Sequence, residues 1–298
     1  MNLQQKNTRF RAYQLGNAGS SFSYCDGAHF TLIEGRLTNT SKPHVLKELT
    51  LFNKSSIDTL HITSWDQDHC TPSELKMILD ELCPKRVEFP SYEPYTDTGK
   101  NCLKLLMDYE NNLRYKEPTV TLVKITPEYL ATLKIAKNEL EYTNVLIHPH
   151  EKYDNANDNS TVKLFRSGSF TVLSLGDVEL PEISESLIKS DLLTAQVDVM
   201  ILAHHGADNG FTTDKFLKAI NPKLTVCSSN YDNQFEHPKQ AIKDLLYQNG
   251  IKNFTTKTGD VIIKSVGQHI GEFLVVNLIS NNEEVSSKYY YKSKRLDY

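Results

Sequence analysis

Four segments carry side chains that could do chemistry together: Asp66-Gln67-Asp68-His69, Gly176-Asp177, His204-His205-Gly206 and Glu236-His237-Pro238. Carboxylates and imidazoles are the donors that hold divalent cations. Each segment follows an apolar run, and a polar loop, Asn157-Asp158-Asn159-Ser160, lies between the first and the second. In α/β proteins such strand ends collect ligands, because the scaffold is rigid there and polar groups are accessible. Taken singly, each has an ordinary reading. D-x-D-H is a solvated loop, Gly-Asp a turn, and His237 a residue before a helix that begins at Pro238. Their order along the chain, one strand end after another, points to a single metal-binding site.

The elements that must position these residues follow from periodicity. Phe10, Ala12 and Gln14 alternate into the loop 16–21, and short runs at 21–24 and 30–34 flank Asp26-Gly27, a hairpin meander. The run 57–63 reads as a strand that delivers Ser64 through His69. A helix follows, with Thr71 and Pro72 as N-cap and N1 candidates and Leu75, Ile78, Leu79 and Leu82 at helical spacing. Helices are predicted at 101–113 and 127–139 around a strand at 119–125, and the stretch 84–140 reads as a helical insertion. Further strands are predicted at 144–147, 162–165, 170–175, 197–203, 224–228, 261–264 and 272–278, with helices at 182–193, 213–220 and 239–248. A meander half followed by a βαβαβ half predicts one α/β domain over residues 1–298. Its expected architecture is a four-layer αββα sandwich, two mixed sheets with helices outside.

Composition narrows the function classes. With 33 Lys+Arg against 37 Asp+Glu the formal charge is −4, which argues against a surface built wholly for polyanions while leaving room for a local basic groove. Cys25, Cys70, Cys83, Cys102 and Cys227 form no C-x-x-C pair, so neither a disulfide framework nor a zinc knuckle is readable. No run approaches the length of a membrane span and the first residues hold no apolar leader core, so a cytoplasmic protein without membrane contact is expected.

In sequence order, D-x-D-H, N-x-N-S, G-D, H-H-G and H-P resemble the metallo-β-lactamase superfamily. Within it the pattern is most similar to the branch that includes the hydrolase domain of competence-type DNA-uptake proteins. The resemblance runs from about residue 10 to 240. Where the family has H-x-[HD]-x-D-H-x-G-G, this chain has Ser64-x-Asp66-x-Asp68-His69-Cys70-Thr71-Pro72, so the first His is Ser64 and the Gly pair is absent. Where the family has L-x-D-x-G, Leu32-Ile33-Glu34-Gly35 brings Glu34. The resemblance implies that Asp68 and His69 bind one metal together with His204 or His205, and that Asp177 bridges to a second. Asp66 would hold that second ion, helped by Asn157, Asn159 and either Ser64 or water. One or two divalent ions are implied. Imidazole favours zinc, and the oxygen-rich second position favours manganese or magnesium. Asp68 would orient the attacking water and His237, or the second His of the pair, would protonate the leaving oxygen.

The implied activity is metal-dependent hydrolysis, foremost of a phosphodiester in nucleic acid. The alternatives are hydrolysis of a small phosphoester or nucleotide, and a degenerate fold kept as a binding or regulatory module. β-Lactam hydrolysis is not expected, because a cytoplasmic location is wrong for it and the full histidine set is absent. His148 and His150 read as solvated loop residues, and His44, His61 and His269 as structural. The tail 288–295 alternates Tyr with Lys and Arg, which suits single-strand binding or a final β-strand with a charged end. No protein partner is readable.

Overall fold

The computed structural model describes residues 6–113, 119–133, 143–232, 234–267, 271–279 and 284–296. The strands in chain order are β1 (Arg9–Ala12), β2 (Phe22–Cys25), β3 (Phe30–Ile33), β4 (Thr59–His61), β5 (Arg86–Pro90), β6 (Thr121–Ile125), β7 (Val145–His148), β8 (Val162–Phe165), β9 (Val172–Ser174), β10 (Val199–Ile201), β11 (Leu224–Cys227), β12 (Lys252–Thr255), β13 (Val261–Ser265), β14 (Glu272–Leu278) and β15 (Val285–Lys292). They form a nine-stranded sheet in the order β15-β14-β13-β1-β2-β3-β4-β5-β6 and a six-stranded sheet in the order β12-β11-β10-β9-β8-β7. Both are mixed. β3 to β6 run parallel, as do β9 to β12, and the remaining pairs are antiparallel.

Strand alternation builds the layers. On β1, Phe10 and Ala12 join a core between the sheets with Phe22, Phe165, Val172, Val199 and Val226. Arg11, between them in sequence, faces the other way and pairs with Glu48 at 2.8 Å and Asp260 at 2.7 Å. Three helices, α1 (Lys42–Leu51), α2 (Pro72–Met77) and α3 (Asp97–Leu113), pack Val45, Leu75 and Leu106 on the outer face of the larger sheet. After α4 (Pro127–Thr132) come α5 (Pro181–Leu187), α6 (Asp191–Gln196), α7 (Asp214–Ile220) and α8 (Gln240–Gln248). From that last set Ile183, Leu193, Phe216 and Ile242 cover the outer face of the smaller sheet. The result is the expected αββα arrangement.

The stretch 84–140 holds α3 and α4, and its strands β5 and β6 extend the parallel edge of the larger sheet beyond β4. The predicted helix 182–193 is two helices, α5 and α6. Of the predicted helix 127–139, α4 is described and residues 134–139 lie outside the described residues, as does His269. The tail is an edge strand: β15 pairs along β14, and Tyr291 stacks on Phe273 with ring centroids 5.6 Å apart. Beyond it Ser293 and the Lys294 amide bond the buried carboxylate of Asp198, each at 2.7 Å, which ties the tail into the fold. No described helix is long and apolar enough to cross a membrane.

Candidate metal centre

β3, β4, β9, β10 and β11 all deliver the chain at their C-terminal ends to one rim, the usual place for ligands in α/β sheets. Glu34 follows β3, and Thr63 through His69 follow β4. Asp177 follows β9, His204 and His205 follow β10, and Ser228 follows β11. The Asp66–His69 turn closes on itself by His69 N–H to Asp66 O at 2.9 Å. The meander pins it from outside, as Ser20 N–H donates to Asp68 O at 2.8 Å and Gly35 N–H to His69 O at 2.7 Å. Gly19 is required in that contact: a Cβ there would lie 2.5 Å from Asp68 O, and its φ is +132°.

Asp68, His69, Asp177 and His205 each offer a donor atom, all within 4.8 Å of one another. His69 Nε2 lies 2.8 Å from Asp177 Oδ2, and His205 Nε2 lies 3.1 Å from Asp68 Oδ2. The opposite ring nitrogens are both engaged. His205 Nδ1 is 3.0 Å from the Ser228 carbonyl, which can only accept, so Nδ1 carries the hydrogen. His69 Nδ1 lies 3.2 Å from Glu34 Oε1 and 3.2 Å from Thr63 Oγ1, whose hydroxyl donates to the same Glu34 oxygen at 2.6 Å. Each imidazole is thereby turned to present Nε2 inward, the outer support that metal-bound histidines have. Bonds of about 2 Å to a single ion set opposite donors no more than about 4 Å apart, so small side-chain shifts would close these four on a cation.

Electrostatics agree with that fit. Burial would lower His69, but Asp177, Glu34 and Asp68 raise it well above its ordinary value. His205 is raised by its bond to Asp68 and the charge of Asp177 against the same burial penalty. Burial would raise Asp68 and Asp177, but the imidazoles draw both below the ordinary carboxylate range. Asp66 is pushed up by burial, with Asp68 and Asp177 adding to the rise and His69 opposing it. A group this rich in adjacent carboxylates and inward Nε2 atoms suits a cation.

The other residues expected to serve as ligands have partners of their own. Backbone φ values of +43° at His204, +53° at His205 and +78° at Gly206 make a left-handed turn that sends the two imidazoles to different partners. His204 Nδ1 faces Glu179 Oε1 at 2.6 Å, outside the four-donor group. Asn157 donates to that same Glu179 at 3.1 Å. Asn159 spends its amide on its own loop, accepting from Tyr153 N–H at 3.0 Å and donating to Tyr153 O and Asn155 O. Ser64 Oγ bonds Tyr92 Oη at 2.9 Å and lies 3.4 Å from Asp66 Oδ2. Asp66 itself lies close enough to His69, Asp68 and Asp177 to feel their charges.

His237 stacks on His205, ring centroids 6.2 Å apart and planes 11° from parallel. Burial and the neighbouring imidazoles of His205 and His204 push it down to about 4. His148 is buried, with Nε2 2.7 Å from Asp158 O, and is not the solvated loop residue expected. Sequence reading missed Glu179 and Ser228 and saw Glu34 only as a departure. Their part lies in contacts to residues distant in sequence, for which no local pattern exists.

No protein-family model matches the chain. It is 23% identical over 227 residues to ComE operon protein 3 of Bacillus subtilis (strain 168), covering 76% of this chain and 27% of that protein. It is 29% identical over 124 residues to competence protein ComA of Neisseria gonorrhoeae, covering 41% of this chain and 18% of that protein. The chain thus spans about a quarter of the first relative's length and under a fifth of the second's. Among solved structures it is similar to a mutant of CmlA β-hydroxylase, with a TM-score of 0.50 at 11% identity over 87% of this chain and 54% of that one. It is also similar to YhfI of Bacillus subtilis, described as a metallo-β-lactamase fold protein, with a TM-score of 0.48 at 11% identity over 87% of this chain and 100% of that one.

Proposed function

From a chain with the metallo-β-lactamase fold and a four-donor group on its rim, we propose a phosphodiesterase acting on nucleic acid through one divalent ion. The observation that carries this is the pair of inward Nε2 atoms, each fixed from behind, facing two carboxylates. Asp68, His69, Asp177 and His205 would hold the ion. Two imidazoles and two carboxylates suit zinc; the oxygen-rich position that favoured manganese is not part of this reading. When bound, such an ion supplies Lewis acidity to a phosphoryl group and to water. Asp68, the most exposed member of the group at 37%, is placed to accept a proton from an incoming water. His204, half-buried and backed by Glu179, stands on the groove wall where it can pass a proton to a leaving oxygen. The competence proteins among the relatives support nucleic acid as the substrate class.

Elemental analysis of purified protein should find about one ion per chain, lost in Asp177→Asn and in His205→Ala. The loaded protein should cleave a labelled single-stranded oligonucleotide, and both variants should not. Two firmly held ions would overturn the single-ion assignment. A loaded protein without cleavage would favour a binding or regulatory module, for which the bond between Ser64 and Tyr92 in place of a second ion position is the supporting observation.

A further inference from the structure

An aromatic ladder leads from solvent to the four-donor group. Phe235, 57% exposed, packs on His237 with centroids 5.8 Å apart and planes 27° from parallel. His237 in turn lies over His205 at 6.2 Å and 11°. The ladder has a firm base. Lys239 N–H donates to Gly206 O at 3.0 Å, and the space a Cβ on Gly206 would need is held by Pro238 Cβ at 2.6 Å. The turn that carries His237 is therefore packed directly on the turn that carries His205.

The groove beside this ladder, about 710 Å³, has Asn17, Gln67, Asn230 and Gln234 among its lining residues. Amides match the paired donor and acceptor edges of nucleobases, and an exposed ring backed by a second ring offers the face on which a base stacks. The groove is poor in positive charge. Arg36 is the basic Lys/Arg side chain among its described lining residues, and it is paired with Glu74 at 2.6 Å. A long backbone track, which needs many Lys and Arg contacts, has no counterpart here. In a duplex the base faces are covered, so a ladder of this kind reads unpaired bases.

We infer that Phe235 and His237 form a stacking platform for the base next to the phosphate at the metal centre, so the ligand is an unpaired strand end or short single-stranded oligonucleotide. The inference rests on the phosphodiesterase reading for the phosphate's position but is read out by binding alone. Metal-loaded protein is titrated with a phosphorothioate oligothymidylate, resistant to hydrolysis, and with the same backbone carrying abasic sugars. The base-bearing strand should bind about tenfold or more tightly than the abasic one. Phe235→Ala and Phe235→Leu should both remove that difference while keeping the metal content and the affinity for the abasic strand. Phe235→Trp should retain it. Equal affinities for the two strands in the native protein would overturn the platform, as would Phe235→Leu binding like native. Base-dependent binding without cleavage of an ordinary oligonucleotide would leave the platform standing and remove the hydrolytic reading. Cleavage without base-dependent binding would do the reverse.

Discussion

Glu34 never reaches the four-donor group, yet it sets the direction of His69. Its φ of +75° turns the side chain back toward Thr63, whose N–H and hydroxyl both donate to it, at 3.0 Å and 2.6 Å. A carboxylate behind a ligating imidazole fixes its tautomer and raises its basicity, and losing one costs about 10–100-fold in metal affinity. Glu34→Gln should weaken zinc binding by that order in a chelator competition, with the fold unchanged by circular dichroism. Native affinity in that variant would mean that Glu34 is only packing. Ser64→His tests the single-ion reading at the same scale. With Tyr92 already occupying Ser64 Oγ, the new imidazole should not raise the stoichiometry unless Tyr92→Phe accompanies it.

At the scale of elements, turns do the positioning. The His204-His205-Gly206 turn is left-handed throughout, a conformation costing on the order of 1–3 kcal/mol for a residue with a side chain, and it persists because its surroundings hold it. Gly206→Ala would add a methyl against Pro238 at a φ of +78°. It should lower stability by about 1–3 kcal/mol and release His205, seen as a lower melting temperature together with weakened metal binding. The polar loop before β8 works similarly from the other side. Asp158 accepts from Glu179 N–H and Leu180 N–H, both at 2.9 Å, and so holds the segment after Asp177. Deleting residues 288–298 removes most of β15 and the contacts to Asp198, so the truncated chain should melt earlier whatever it does to nucleic-acid binding.

The whole molecule depends on ion pairs inside its layers. Glu88 on β5 meets Lys163 on β8 at 2.5 Å and His61 on β4 at 2.9 Å, which bridges the two sheets. Burial alone would raise Glu88, but Lys163 and His61 hold it well below its ordinary value. A carboxylate depressed by folding contributes stability that is complete above its unfolded pKa of about 4.3 and lost as pH falls toward the folded value. Breaking such a buried pair costs on the order of 3–5 kcal/mol. Glu88→Gln should therefore lower the denaturant midpoint strongly at pH 7 and much less at pH 3, where the native protein has surrendered part of the same stability. An equal loss at both pH values would assign the effect to packing.

The sequence by itself determined the layered α/β class and most strands, because alternation and apolar runs are local consequences of which face is buried. It also determined that Asp68, His69, Asp177 and His205 stand at strand ends, because each motif directly follows its strand. What only the tertiary structure decided is which of these neighbours meet. Two adjacent histidines look alike in sequence, and the left-handed turn at 204–206 sends His205 to the carboxylates and His204 to Glu179. Asn159 and Ser64 carry ligand-type groups, but a backbone amide, backbone carbonyls and the Tyr92 hydroxyl engage them. Glu34, Glu179 and Ser228 gain their places from partners 22 or more residues away, by hydrogen bonds that sequence spacing does not encode. Strand β5 was not among the predicted strands, and its Glu88 is buried where Lys163 and His61 converge on it from other strands.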